Sequence, residues 1–305
     1  MKSSRFHDPP FKTQVLAYAE VAKNGNLFDL YGGDASYGVI LLNAYSNLNY
    51  WYFDIDDEAL ETARNRLEEF GSRAHIKKFN ARYLDKRISE EGLREIDCAI
   101  YDPGLRRGHV ENPARGFLSK FSGPLDARYD RTKGKTISDV VNGYNTLALA
   151  EIFRTVEMPY PRRVANAIVR YRDSNRITTT EELSRIVSRV FPSKARRKRV
   201  APEVLAMLAL RIHVNEELEA LGEAVKKGFE ALRVGGLLIT ISYHSGEARI
   251  YKEHARKFDK RYAQEEKDQK LRVVTKKALK PSDEEINQNP LIRSAQMRVY
   301  EKIKF

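Results

Sequence analysis

One cysteine, one tryptophan and the absence of any long apolar run set the first limits on this 305-residue chain. A lone Cys98 excludes an intrachain disulfide and a cysteine-rich zinc site. It fits a reducing compartment, so the cytoplasm or an organellar matrix is expected. No run of about 18 apolar residues occurs, so no transmembrane helix and no membrane partner are expected. The opening MKSSRFHDPPF has no apolar core for a secretory signal. The G-x-G-x-x-G fingerprint of a dinucleotide site is missing. No group of residues has metal-ligand spacing, and no metal is expected. Acidic residues are in deficit, 42 against 54 Lys and Arg, which leaves a net charge of +12. That balance favours a polyanionic partner such as nucleic acid, although a generally solvated basic surface would give the same number.

What is present reads first as α/β. Asn26 to Tyr31 is a short apolar run that stops at Gly32-Gly33, and Ser36 to Tyr45 is a helix candidate. Asn49 to Ile55 is aromatic and strand-like, and Asp57 to Phe70 carries Leu60, Ala63 and Leu67 at helical spacing. Ala74 to Phe79 and Ile96 to Tyr101 continue the alternation, which indicates a parallel, doubly wound sheet. Residues 105–135 then turn rich in Gly, Pro and Arg, and helical patterns follow to about Arg211. Residues 201–233 read as one long helical stretch ending at Gly235-Gly236. Leu237 to Ser242 is a buried strand, with further strands near Val273 and from Gln296 to Glu301. The expected architecture is a sheet domain of residues 1–104 and 212–305, interrupted by an all-helical insert of residues 105–211.

Ligands of open α/β sheets bind beyond the carboxyl ends of the strands. Three such ends carry polar punctuation here. Asp29-x-x-Gly32-Gly33 follows the first strand, and glycines admit close approach of a ligand. Asp54 ends the second strand and is placed to accept from the two ribose hydroxyls of an adenosine, with Asp56 as the better helix cap. Asp102-Pro103-Gly104 follows the fourth. Each could be a plain turn or cap; together they indicate an adenosine cofactor, and the missing dinucleotide fingerprint shifts weight to S-adenosylmethionine.

Methyl transfer from a sulfonium needs position and electrostatics more than an acid–base relay. An exocyclic amine on a base is a poor nucleophile, and a carboxylate accepting its N–H would help; Asp102 is the candidate. His244, directly after the strand LLITIS, would either wall the base pocket or order its own loop. The base must leave its stack, which calls for phosphate clamps. Arg106, Arg107, Arg115, Arg128 and Arg131 are candidates, as is the cluster Lys194, Arg196, Arg197, Lys198 and Arg199, which would otherwise be a solvated loop.

These residues resemble one family over nearly the whole chain, the small-subunit ribosomal RNA cytosine-N4 methyltransferases, also called MraW or RsmH. His7-x-Pro9 with Val15-Leu16 is similar to the family's opening motif. Arg115-Gly116-Phe117 through Gly123-Pro124-Leu125-Asp126-x-Arg128-x-Asp130 matches its R-G-F…D-G-P-L-D-M-R-M-D, and Asp139-Val140-Val141-Asn142 its D-V-V-N. Leu210-Arg211-Ile212 with Val214-Asn215-x-Glu217-Leu218, and Tyr243-His244-Ser245-x-Glu247-x-Arg249, follow in order. The resemblance implies a class I methyltransferase-like, Rossmann-like doubly wound sheet and methylation of cytosine N4 in 16S-type ribosomal RNA. The small ribosomal subunit would be the partner, and the oligomeric state is left open. S-adenosyl-L-methionine would lie against Gly32, Gly33, Ser36, Asp54, Phe79, Asp102 and His109, with Asp102 and His244 catalytic.

The departures gather at that cofactor edge. Where the family has D-x-T-x-G-x-G-G-H-S, this chain has Asp29-Leu30-Tyr31-Gly32-Gly33-Asp34-Ala35-Ser36-Tyr37-Gly38. His109 stands at the family's glutamine, and F-H-S-L-E-D-R has become YHSGEAR. Added side chains there open a second reading: a catalytically inactive homologue that binds ribosomal RNA as an assembly or structural factor, with Tyr31, Asp34 or Tyr37 filling the donor's space.

Overall fold

A computed structural model describes residues 8–192, 200–259 and 270–304. The chain forms two compact units, Met1–Gly104 with Leu218–Phe305, and Leu105–Glu217. Its strands are β1 (Asn26–Asp29), β2 (Asn49–Asp54), β3 (Ala74–Lys78), β4 (Ile96–Tyr101), β5 (Leu232–Ser242), β6 (Leu271–Val273) and β7 (Gln296–Lys302). Helices α1 (Lys12–Ala19), α2 (Ser36–Ala44), α3 (Asp57–Leu67) and α4 (Leu84–Glu90) alternate with the first strands. Then come α5 (Arg107–Glu111), α6 (Ile137–Gly143), α7 (Thr146–Arg154), α8 (Pro161–Arg172), α9 (Thr180–Arg189) and α10 (Pro202–Val214). Helices α11 (Glu217–Ala231), α12 (Ser245–Phe258) and α13 (Asp283–Gln288) complete the chain order.

All the strands belong to the first unit and pair as β3-β2-β1-β4-β5-β7-β6. β1 to β5 run parallel, and β7 runs antiparallel to both β5 and β6. This is the class I methyltransferase-like, doubly wound sheet expected from the sequence. The aromatic strand β2 shows why it forms. Tyr50 and Tyr52 enter one core with Leu27, Ile100 and Ile239. Trp51 and Phe53, their alternates, enter the opposite core with Phe28, Tyr101 and Leu238. Helices α1, α2 and α3 close the first face through Val15, Leu41 and Leu60. Helices α4, α11 and α12 close the second through Leu84, Phe229 and Tyr251. Coverage on both faces explains why β1, β2, β4 and the second half of β5 read as near-continuous apolar runs.

Local signals hold where a single side chain decides them. Asp56 Oδ1 accepts from the Glu58 N–H at 3.0 Å and starts α3. Ser282 and Glu285 cap α13 reciprocally. The expected single helix over 201–233 is corrected. It breaks after Val214, where Glu216 takes a left-handed φ of 49°, and α11 starts afresh. Gly235-Gly236 is no helix cap but lies inside β5, where the register against β4 shifts between Ile96 and Cys98. Gly235 sits there at φ 80°, a conformation that costs glycine nothing.

The second unit is helical. Val140, Phe153, Ile168, Val187 and Leu210, from α6 to α10, form its core with Phe117. Among the described residues, no helix is long and apolar enough to cross a membrane.

Candidate active site

Because β1, β2, β4 and β5 are parallel, their carboxyl ends share one edge. Asp29, Asp54, Asp102 and the Tyr243-His244 turn lie at those ends. Asp29 is fully buried; its Oδ2 accepts from the Tyr50 hydroxyl at 2.5 Å. Its Oδ1 is buried with no hydrogen-bond partner among the described residues. Burial pushes the Asp29 carboxyl up to about 7, against the Tyr50 hydrogen bond, which favours the charged form. Asp54 accepts from the Gly33 N–H at 3.1 Å through Oδ2 and from the Asp56 N–H at 2.9 Å through Oδ1. Burial raises it to about 6, and these amides limit the rise. Asp102 Oδ1 accepts from the Tyr243 hydroxyl at 2.9 Å. Burial first, then the charges of Asp29 and Glu247, push Asp102 up to about 7.

The loop after β1 is tightly packed on β2. The Tyr52 ring lies so close to Gly32 that a Cβ there would come within 2.1 Å of it, and the Tyr52 hydroxyl donates to the Gly33 carbonyl at 2.7 Å. The absent side chain of Gly32 thus makes room for Tyr52. Arg66, reaching from α3, donates to the Asp34 carbonyl and, at 3.0 Å, to Ser36 Oγ. Ala35 stands where the family has glycine and keeps a left-handed φ of 56°. Of the side chains that replace family residues, Tyr37 is buried and donates to the Pro10 carbonyl at 2.6 Å, while Tyr31 leans on Tyr101 with ring centroids 6.2 Å apart. Phe79 is half-buried between the Phe53 ring and the Arg87 guanidinium, and its N–H donates to the Asp54 carbonyl at 2.9 Å.

After β5, the buried Glu247 organises the turn. Its Oε2 accepts from the Tyr243 N–H at 2.7 Å and the His244 N–H at 3.3 Å. His244 Nδ1 accepts from the Gly246 N–H at 3.2 Å and caps α12, which leaves the ring proton on Nε2. Nε2 lies 3.2 Å from Glu247 Oε1 without the alignment of a hydrogen bond. His244 thus orders its loop through Nδ1, one of the two roles expected for it. Tyr243 is the residue of this turn that touches Asp102.

In the helical unit the arginines expected to face RNA divide into inward-turned and exposed ones. His109 is buried, stacks on Phe117 at 4.3 Å, and its Nδ1 accepts from the Arg106 N–H at 3.3 Å. That ring anchors α5. Arg115 is 1% exposed and donates to the carbonyls of Arg128 and Tyr129, so it holds a loop rather than facing RNA. Arg128 is spent in the same way, on both oxygens of Asp126 and the carbonyls of Lys133 and Gly134. Arg106 and Arg107 stay partly exposed, Arg107 paired with Glu111 at 2.6 Å. Lys194, Arg196 and Arg197 lie outside the described residues.

Sequence reasoning passed over four residues of the first unit. Asp29 was read only as the start of a glycine turn, yet it is the most deeply buried acid of the edge. Tyr243 had a signal, a tyrosine at the family's phenylalanine. Glu247 had a weaker one in its three-residue spacing from His244. Arg66 had none, since a helical arginine reads as solvated surface.

The family model described as the MraW methylase family matches residues 4–303. Ribosomal RNA small subunit methyltransferase H of Persephonella marina is 35% identical, over 97% of this chain and 99% of the relative. The protein of the same name from Carboxydothermus hydrogenoformans is 37% identical, over 83% of this chain and 84% of its own length. Among solved structures, an rRNA methylase from Streptococcus thermophilus is similar at 13% identity and a TM-score of 0.46, covering 98% of this chain and 99% of that one. With the sheet order and the acidic strand ends in place, a match over nearly the full length leaves one assignment: this chain belongs to the MraW methylase family.

Proposed function

We propose that the chain transfers the methyl group of S-adenosylmethionine to N4 of a cytosine in 16S-type ribosomal RNA of the small subunit. The observation that carries the reading is the carboxylate edge, with Asp54 at the end of β2 and Asp102 fixed by Tyr243 after β4. The residues fit such a donor. A carboxylate has about four acceptor positions, and the backbone amides of Gly33, Asp56 and Ile55 engage at most three on Asp54, which leaves capacity for a ribose hydroxyl. Asp29 Oδ1 is a buried acceptor in want of a donor, which an ammonium or N–H would satisfy.

When bound, the donor supplies an already activated methyl group. The protein's part is placement and charge. Asp102, held by the Tyr243 hydroxyl, accepts an N–H of the exocyclic amine and stabilises the positive charge that develops there. Burial lifts this carboxyl to about 7, so at neutral pH it is ionised enough to accept and basic enough to take the proton afterwards. The helical unit is proposed as the RNA-recognition part, with Arg106 and Arg107 as its partly exposed cations. The cytoplasm, where small-subunit RNA is present and a lone thiol stays reduced, is the proposed setting.

Calorimetric titration with S-adenosylmethionine tests the reading. Micromolar binding is expected, weakened at least about tenfold by Asp54→Ala through loss of charge-assisted hydrogen bonds. No binding at millimolar donor would favour the RNA-binding, non-catalytic reading.

A further inference from the structure

Helix α12 begins at Ser245, directly after the His244 turn, and carries an open groove of about 320 Å³ along one side. Ser245, Arg249, Lys252, Glu253, Arg256 and Gln296 line it. Arg249, Lys252 and Arg256 fall at positions i, i+3 and i+7, so they form one stripe roughly 10 Å long. All three are exposed. Gln296 begins β7 and pairs in register with Ser242, the last residue of β5. The groove therefore starts at the carboxyl edge of the sheet, where Asp102 and Tyr243 lie, and runs away from it down the helix.

We propose that this groove holds the RNA strand flanking the target base, with Arg249, Lys252 and Arg256 on consecutive phosphates. The proposal rests on the ribosomal RNA reading above and names a contact surface for it. The charges suit a strand rather than a small anion. They are exposed and spread along a helix, so each is weak alone and they act together on a polyanion by releasing its counterions. A single phosphate would instead want converging, buried donors. Gln296 and Ser245 add uncharged groups at the end nearest the site, where a base rather than a phosphate has to pass. Glu253 is the one acidic member, and it supplies a test of opposite sign.

Fluorescence anisotropy with a labelled single-stranded fragment of 16S-type RNA, repeated over a range of salt, reads this directly. The double variant Lys252→Gln with Arg256→Gln removes two phosphate contacts from solvent-exposed positions. The slope of log affinity against log salt should become shallower by about 1.4, and affinity near 0.1 M salt should fall roughly 25-fold. Glu253→Gln should tighten binding about threefold, a gain that a misfolded protein cannot mimic. Donor binding by calorimetry should be unchanged in all variants. If the wild type binds RNA and the variants match it in slope and affinity, the groove proposal is overturned while the methyltransferase reading stands. If the wild type binds neither this fragment nor assembled small subunits carrying the same RNA, both are overturned.

Discussion

Replacing Tyr243 by Phe removes one hydroxyl and keeps the ring. That hydroxyl donates to Asp102 Oδ1 at 2.9 Å, in a setting where burial has already pushed the carboxyl up to about 7. The donor stabilises the charged form, so its loss raises the titration midpoint further. A hydrogen bond to a charged group contributes about 1.5–3 kcal/mol, and 1.36 kcal/mol is one pH unit, so the midpoint should climb by roughly one to two units. Near pH 7 about half of Asp102 is ionised in the wild type. In Tyr243→Phe the ionised fraction falls to between about one-tenth and one-hundredth, and single-turnover methyl transfer should slow roughly 5- to 50-fold. The assay is transfer of labelled methyl to RNA across pH 6 to 9. The variant should recover most of its rate at alkaline pH, with its donor affinity unchanged. A uniform loss at every pH, or a profile that does not move, would refute the coupling of Tyr243 to Asp102.

Other expectations follow from the same geometry. Asp29 is raised from 3.8 to about 7 by burial, so between those values the native state holds a proton that the unfolded chain releases. Its contribution to stability therefore falls as pH rises through that window, by on the order of 2–4 kcal/mol. Asp29→Asn should flatten the decline of Tm between pH 5 and 8; parallel curves would contradict this. Arg115→Met leaves the carbonyls of Arg128 and Tyr129 without their donor and should cost about 2–4 kcal/mol in urea unfolding. Arg107→Ala, at a partly exposed pair, should cost under about 0.5 kcal/mol. Equal effects would remove the distinction between the loop-holding and exposed arginines.

The sheet was legible because β1, β2, β4 and β5 each hold a short apolar run with a polar stop, and alternate residues of β2 serve opposite cores. The cap at Asp56 was legible because one side chain and one nearby amide suffice. The break at Glu216 was not, since a single left-handed residue leaves the helical pattern of its neighbours intact. Gly235-Gly236 was misread because a glycine pair serves a helix end and a bulged strand equally well; the pairing with β4 decides, and that is tertiary. The acids at the strand ends were visible as a set, but the depth of Asp29 was not. Arg115 and Arg128 looked outward because charge and loop composition suggest solvent, and His109 was placed at the cofactor by its alignment with the family's glutamine. They turn inward because irregular loops leave carbonyls and amides that need partners.

The central claim is that the acidic edge of this sheet serves N4 methylation of a cytosine in small-subunit RNA. Mass spectrometry of nucleosides from 16S-type RNA, free or in assembled subunits, after incubation with the protein and isotopically labelled S-adenosylmethionine, tests it most directly. The expected result is labelled N4-methylcytidine, lost with Asp102→Asn while the donor still binds. RNA that is bound but carries no label under any condition, or a label on a different atom, would contradict it.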